Sequence, residues 1–199
     1  MARNPAPRMA AAERRELLLK AAAELFAQRG YHATDMSAIA AATGVTKVIA
    51  YRAFGSKQAL YEALLDRHRD ELLQTLVDSQ RLWGASEADR VHGGLDAWFS
   101  YVEEHPFAWR LLFRDTTGLA SLEQHHQAMR AQARAVLTGL LTEHMQVDAQ
   151  AAPPTAEFLR AAIVGVAMWW LEHPGTPREE IVATAERLAV GAISGVRRT

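Results

Sequence analysis

Residues 23–65 of the chain read AELFAQRGYHATDMSAIAAATGVTKVIAYRAFGSKQALYEALL, and this stretch decides how the N-terminal part folds. It predicts short helices that are separated by glycines, because glycine ends helices and permits tight turns. Gly30 follows a first helix, Gly44 lies in the turn between two short helices, and Gly55 precedes a long helix. Two short helices that are joined by a tight turn indicate a helix-turn-helix unit.

The same stretch contains the apolar residues that such a unit needs for its own core. Ala40 is small at the point where the two short helices would cross. We expect the core to be formed by Leu25, Phe26, Ile39, Val45 and Phe54. The second short helix, residues 46–53, would then expose Thr46, Lys47, Ile49 and Arg52 to a groove of DNA.

Capping residues mark the predicted helix starts, since Ser, Thr and Asp side chains bind free backbone N–H groups. Thr34 or Asp35 is expected to cap the second helix, Thr46 the third and Ser56 the fourth. The pair Pro153-Pro154 is interpreted as part of a break between helices.

The rest of the chain predicts more helices and no strands. It is rich in residues that favour helices, and no window shows the period-two alternation of a strand. Predicted helices span residues 13–29, 36–43, 46–54, 57–82, 87–104, 106–114, 119–146, 155–172 and 177–196. The predicted fold is all-α, with a helix-turn-helix domain at residues 1–57 and a larger helical domain at residues 58–199.

Charge is distributed unevenly along the chain. Residues 1–57 carry nine Lys or Arg and four Asp or Glu, a net of +5. Residues 58–199 carry the other thirteen basic and nineteen acidic residues, a net of −6, so the whole chain has a net charge of −1. A basic N-terminal region favours a polyanionic partner, although a solvated surface with uneven charge is the alternative.

Composition limits the other classes of function. The chain has no Cys, which excludes a thiol nucleophile and cysteine-ligated metals. Its longest apolar run, residues 161–171, is too short for a membrane span of about 20 residues. The N-terminus lacks the apolar run of a secretory signal, so we expect a cytoplasmic protein that does not bind membranes.

Motifs for catalysis or metal binding are not found in the sequence. It has no GxSxG, no phosphate-binding glycine loop and no HExxH. His125 and His126 are adjacent, and adjacent helical residues point about 100° apart, which is poor geometry for chelating a metal. We therefore expect no enzymatic activity, no metal and no cofactor.

Residues 23–65 also resemble the DNA-binding domain of the tetracycline-repressor (TetR) family. The matching features are LFAQRGY at the end of the first helix, Thr34 with Ile39-Ala40, Thr43-Gly44-Val45, Tyr51 with Phe54, and Ser56-Lys57 with Leu60. The chain departs from the family at Val48, Ala50 and Ala53, where the family often has a small residue, Leu and a phosphate-binding His.

The resemblance implies DNA contacts by residues of three helices. Thr46, Lys47 and Ile49 match the base-reading and backbone-contacting face of the third helix. Tyr51 matches a position that commonly touches phosphate or base, and a core aromatic is the alternative. Arg52 is expected to be exposed on the same helix, either as a DNA contact or as a solvated surface residue. Lys57, at the start of the fourth helix, suits a phosphate, and Thr34 and Ser37 near the start of the second helix suit one also.

The larger domain is rich in aromatic residues and Met, which suits an apolar ligand cavity or a solid core. The resemblance favours a cavity, for which the candidate residues are Trp98, Tyr101, Phe113, His126, Met129 and Trp169. The helix at 155–172 is apolar on most sides, and the helix at 177–196 has Gly191 and Gly195 for close approach. These two helices suit a homodimer interface, and an ordinary buried hairpin is the alternative.

Together these features predict a dimeric transcriptional repressor that binds near-palindromic double-stranded DNA and is released by a small hydrophobic effector. The alternative is a helical protein-interaction module that has lost DNA binding.

Overall fold

The computed structural model describes residues 10–81, 86–113 and 118–197 of the 199-residue chain. Across these ranges it shows nine α-helices and one isolated antiparallel bridge, between Val147 and Arg197. The helices are α1 (Ala11–Arg29), α2 (Met36–Ala42), α3 (Lys47–Phe54), α4 (Lys57–Arg81), α5 (Glu87–Glu104), α6 (Pro106–Phe113), α7 (Ala120–His144), α8 (Ala152–Glu172) and α9 (Arg178–Ser194). The all-α prediction is confirmed.

Side-chain caps start three of the first four helices. The carboxylate of Asp35 accepts a hydrogen bond from the backbone N–H of Ala38 at 2.7 Å, so Asp35 rather than Thr34 caps α2. The Thr46 hydroxyl accepts from Ile49 N–H at 3.4 Å to cap α3. The Ser56 hydroxyl accepts from Ala59 N–H at 3.0 Å at the start of α4.

The break predicted around Pro153-Pro154 exists, but it lies before the two prolines, between His144 at the end of α7 and Ala152. α8 begins at Ala152, so Pro153 and Pro154 lie in its first turn and do not separate helices. Proline is tolerated there because the first N–H groups of a helix have no intrahelical acceptor, and its fixed φ already suits a helix.

The described chain divides into two compact units, and the division falls inside α4, between Arg67 and His68. The first unit therefore includes the beginning of α4. The sequence predicted the domain boundary after residue 57, and the structure extends the first unit to Arg67. The reason is burial, because Leu60, Leu64 and Leu65 of α4 are at most 1% exposed.

The first unit is built around the helix-turn-helix of α2 and α3. Gly44 connects them with a φ of 70°, a left-handed conformation that glycine adopts without strain. The N–H of Val45 donates to the Ala40 carbonyl at 3.1 Å and closes the turn. The predicted small core is formed, since Leu25, Phe26, Ile39 and Phe54 are all buried, while Val45 is only half-buried.

Aromatic packing joins α1 to the beginning of α4. The ring of Phe26 contacts the ring of Tyr61 edge-on, with centroids 5.2 Å apart, and Tyr31 contacts Tyr61 in the same way at 5.0 Å. Edge-to-face pairs of this kind contribute about 0.5–1.5 kcal/mol beyond their buried area. They join α1, on which α2 and α3 pack, to the beginning of α4.

The second unit is a helical bundle in which α5 packs on α9 and α7 packs on α8. Its core includes Phe99 and Trp109, both fully buried, and the Trp98 and Trp109 rings meet edge-on at 4.7 Å. Arg178 of α9 also binds Asp96 of α5 at 2.8 Å.

Candidate nucleic-acid interface and effector cavity

The third helix presents one face to the core and the opposite face to solvent. Ala50 and Phe54 are buried and, being four residues apart, anchor the same face of α3. The exposed residues of α3 and its cap are Thr46, Lys47, Val48, Tyr51 and Arg52, whereas Ile49 is half-buried. A helix held on one face and exposed on the other is what entry into a major groove requires.

Lys47 and Tyr51 occupy one side of this exposed face. The Nζ of Lys47 lies 5.8 Å from the centroid of the Tyr51 ring, a separation that permits a cation–π attraction. Tyr51 is 42% exposed, so its ring belongs to the surface and not to the core. Lys47 and Tyr51, both candidates for DNA contact, therefore lie next to each other on α3.

Val48 is a candidate DNA contact that the sequence analysis did not predict. Its side chain is 61% exposed, although it is branched and apolar. It was noted in the sequence only as a departure from the family pattern. Its exposure on the same helix as Lys47 makes it a candidate for apolar contact with a base, for which the thymine methyl group is the usual partner.

The two candidates near the start of α2 have different surroundings. Ser37 is exposed. Thr34 is fully buried, and its hydroxyl donates to the carbonyls of Gly30 at 2.8 Å and Leu25 at 3.3 Å. The Thr34 side chain therefore joins the end of α1 to the start of α2 from inside the protein, and a DNA contact by this residue stays a prediction.

Asp35 adds a negative charge at the same place. The N–H of Ala38 that donates to its carboxylate lowers the pKa of Asp35 below its usual value, and the charges of Lys47 and Lys57 lower this pKa further. A bond to the charged form favours that form. The cap is therefore ionised at neutral pH, and it lies among cations.

Lys57 makes three contacts within the first unit. Its Nζ donates to the carbonyls of Tyr31 and Thr34, both at 2.9 Å, and lies 4.2 Å from the centroid of the Tyr31 ring. Two of the three ammonium N–H groups are thus used to hold the loop before α2. This structural role was not predicted, and phosphate binding by Lys57 stays a prediction.

Arg15 of α1 positions the end of α3, a role that no sequence motif indicated. Its guanidinium lies 4.1 Å from the centroid of the Phe54 ring, and one of its N–H groups donates to the Ala53 carbonyl at 3.2 Å. An exposed arginine in a first helix is ordinary in sequence, so only the packing identifies it.

The second unit contains a cavity of about 370 Å³, which α4, α5, α7, α8 and α9 line. That volume lies within the usual range for small-molecule sites. Three predicted residues, Trp98, His126 and Met129, line it together. His126 is 2% exposed.

The other three predicted residues are not part of this cavity lining. Tyr101 is buried, and its hydroxyl donates to the His68 carbonyl at 3.1 Å. The side chain of Phe113 lies outside what the structure describes. Trp169 is 48% exposed, stacks on His173 with centroids 4.1 Å apart, and lines a separate groove of α8 and α9.

The surface of α8 and α9 carries large apolar side chains. Phe158 and Leu188 are 60% and 59% exposed. A Cβ placed on Gly165 or Gly191 would meet no atom within 4 Å, so these glycines open the same helices to close approach.

Two other properties bear on function. Within the described ranges no group of three or more His, Asp or Glu is placed to hold a metal. None of the described helices is long and apolar enough to cross a membrane.

A helix-turn-helix unit with an exposed second helix, joined to a helical unit with an apolar cavity, defines a DNA-binding regulator of bacterial type. Comparison with known proteins agrees. Residues 18–64 match the family model described as bacterial regulatory proteins, tetR family. The chain is 33% identical over 190 residues to the HTH-type transcriptional activator FasR of Mycolicibacterium smegmatis, covering 94% of this chain and 86% of FasR. This protein belongs to the TetR family of transcriptional regulators.

Solved structures have the same fold. A TetR-like transcriptional regulator from Rhodococcus sp. RHA1 superposes with a TM-score of 0.76 at 25% identity, covering 94% of this chain and 100% of that one. The fatty acid degradation regulator FadR from Bacillus halodurans superposes with a TM-score of 0.75 at 16% identity, covering 95% and 96% of the two chains.

Proposed function

We propose that this protein is a dimeric regulator that binds near-palindromic duplex DNA through α3 and changes its DNA affinity when an apolar effector enters the cavity of the second unit. The observation that carries the proposal is the exposed face of α3, where Lys47, Val48, Tyr51 and Arg52 lie opposite the buried Ala50 and Phe54. Because the proposed partner is DNA, we expect the protein in the cytoplasm.

The dimer is supported by the apolar surface of α8 and α9. Phe158 and Leu188 are both more than half exposed, and exposed apolar side chains of this size favour a protein partner. A two-fold axis would pair each of these helices with its copy. Two helix-turn-helix units about 34 Å apart, one turn of DNA, would then contact two half-sites.

A coupling route between effector and DNA is supported by α4. Its early residues, including Leu60 and Leu64, are buried in the DNA-binding unit, whereas Leu72 and Leu76 line the cavity. Suppose that α4 can adopt two positions in the protein. An effector that binds more tightly when α4 is in one position than in the other would change DNA affinity, because coupling requires differential binding. Typical coupling energies are about 1–3 kcal/mol.

The direction of regulation has two candidates. We propose repression, with release of DNA by the effector. The similarity to FasR, which is named as an activator, favours the second candidate, in which the bound regulator raises transcription. Transcription in vitro from a promoter with the selected binding site, with and without the regulator, separates the two.

The DNA-binding proposal is tested by selecting duplexes from a random pool and measuring affinity by fluorescence anisotropy. We expect the selected sites to be near-palindromes. Replacing Lys47 with Ala should cost about 1–3 kcal/mol at particular base pairs, whereas Lys20→Ala, a change at an exposed lysine of α1, should leave base preference unchanged. Failure to bind any duplex at low ionic strength would favour the interaction-module alternative.

A further inference from the structure

The charged side chains that line the cavity all have the same sign. Among the described residues of the lining, four are arginines and none is Asp or Glu. The arginines are Arg69, Arg90, Arg130 and Arg160, which come from α4, α5, α7 and α8. The rest of the wall is almost entirely apolar, with residues such as Leu72, Leu95 and Leu159.

Three of these arginines bind carboxylates that are not part of the lining, and one of them is Arg69, whose guanidinium lies 2.8 Å from the carboxylate of Asp70. Arg160 donates to Glu157 at 2.5 and 3.1 Å, and Arg130 donates to Glu123 at 2.7 Å. A guanidinium has five N–H donors in a planar fork. The two bonds of Arg160 and the one bond of Arg130 therefore orient the groups without using all of their donors.

The arginines of α7 and α8 keep the carboxylates beside them ionised. Hydrogen bonding to Arg160 lowers the pKa of Glu157, and the charges of Arg160, Arg134 and Arg130 lower it further. Hydrogen bonding to Arg130 likewise lowers the pKa of Glu123. Arg90 differs from these arginines, since its guanidinium donates a long hydrogen bond, 3.5 Å, to the backbone carbonyl of His144.

From this lining we propose that the cavity selects an apolar molecule that carries one anionic group, a carboxylate or a phosphate monoester. The apolar wall accommodates the body, and the guanidinium forks of Arg130 and Arg160 bind the anion, whose oxygens match their geometry. A cationic ligand would meet only like charges in this lining. The inference rests on the proposed effector-binding function and names the class of effector.

The test compares ligands of one shape and different charge. The full-length protein, stripped of bound lipid, is titrated by calorimetry with dodecanoate, dodecyl phosphate, dodecanol and dodecyltrimethylammonium, all below their micellar concentrations. A second pair, the anion naphthaleneacetate and its alcohol naphthaleneethanol, tests ligands with a compact aromatic body in place of a long chain. We expect the anion of at least one shape to bind about tenfold or more tightly than its alcohol, and the cation to bind most weakly.

The outcomes separate this inference from the proposed function. If the alcohols bind as tightly as the anions, the selection of an anion is wrong, but the effector cavity stands. If no probe of either shape binds, both are contradicted. The ranking of dodecanoate against dodecyl phosphate distinguishes the two sources of negative charge.

Variants locate the anion within the cavity. Arg130→Met and Arg160→Met should each weaken binding of the preferred anion about tenfold while leaving binding of its alcohol unchanged. Arg134→Met is the matched control, because Arg134 lies on α7, is exposed and does not line the cavity. Arg160→Lys, which keeps the charge but loses the fork, tests the site if Arg160→Met does not fold. Equal effects of all variants on acid and alcohol would overturn the proposal.

Discussion

The guanidinium of Arg15 lies 4.1 Å from the centroid of the Phe54 ring and donates to the Ala53 carbonyl at 3.2 Å. α1 therefore binds the C-terminal end of α3, the helix that we propose enters DNA. Carbonyls at a helix C-terminus lack intrahelical donors, and a cation there satisfies one of them and complements the helix dipole.

Replacing Arg15 with Met should destabilise the first unit slightly and weaken DNA binding more than its stability loss explains. A cation–π contact at an exposed site contributes about 0.5–1 kcal/mol, so thermal unfolding should change little. DNA affinity should fall on every sequence, because the orientation of α3 is lost. Lys20→Met, a similar change at an exposed residue of α1, is the control, and equal effects of the two variants would contradict a positioning role.

Lys57→Ala should lower the free energy of unfolding by about 1–2 kcal/mol, since hydrogen bonds from charged groups contribute somewhat more than neutral ones. Both of the bonds to Tyr31 and Thr34 carbonyls would be lost. Urea titration measures this change. If Lys57 also contacts phosphate, as the family resemblance implies, the slope of log affinity against log salt should become shallower by about one unit. An unchanged slope would leave only the structural role.

Val48 should recognise a thymine methyl group, because its exposed apolar side chain can contact that group in the major groove. Replacing a contacted thymine of the selected site with uracil should weaken wild-type binding about fourfold, the value for one buried methyl-sized group. Val48→Ala should bind both duplexes equally. Uracil placed in flanking DNA is the control, and a uracil effect that persists in Val48→Ala would assign the contact to another residue.

Leu188→Glu should disrupt the proposed dimer, because it places a charge at an exposed apolar position of α9. Sedimentation velocity should show a monomer, and DNA affinity should fall because the two half-sites are no longer bound together. Leu17→Glu, a change at a 37% exposed residue of α1, should remain dimeric. A Leu188→Glu protein that sediments as the wild type would exclude this face of α9.

Stability should fall in acid partly because of Asp35. Its pKa is lower in the folded protein than in the unfolded chain, mainly because of the Ala38 N–H. The folded state therefore binds fewer protons, and the stabilisation that is present above the ordinary Asp pKa of 3.8 is lost as the pH falls through the lower folded value. Asp35→Asn should show a shallower loss in acid unfolding followed by circular dichroism. An identical acid profile would contradict the contribution of this cap.

The helix-turn-helix that carries the candidate DNA interface was largely predictable from local sequence. Gly44 marked the turn, Thr46 and Ser56 were correctly identified as caps, and Phe54 was correctly assigned to the core. Each of these features depends on residues within a few positions along the chain. Thr34 shows the limit, since its burial depends on carbonyls at Leu25 and Gly30 that only the packing of α1 places within reach.

The cavity was less predictable because it is assembled from distant helices. Trp98, His126 and Met129 do meet, but Trp169 and Tyr101 face other surroundings. All of these residues are apolar or aromatic and lie on helices, so their composition is the same whether they line a cavity, fill a core or lie on a surface. The four arginines of the lining were equally unremarkable in sequence.

The order of helices, their caps and the helix-turn-helix pattern were determined by the sequence itself, because hydrogen bonds and backbone preferences over a few residues decide them. The tertiary structure alone decided that Arg15 supports Phe54, that Lys57 holds the loop before α2, and that arginines of four helices line one cavity. Those contacts join residues far apart in the chain, and their existence depends on how whole helices pack.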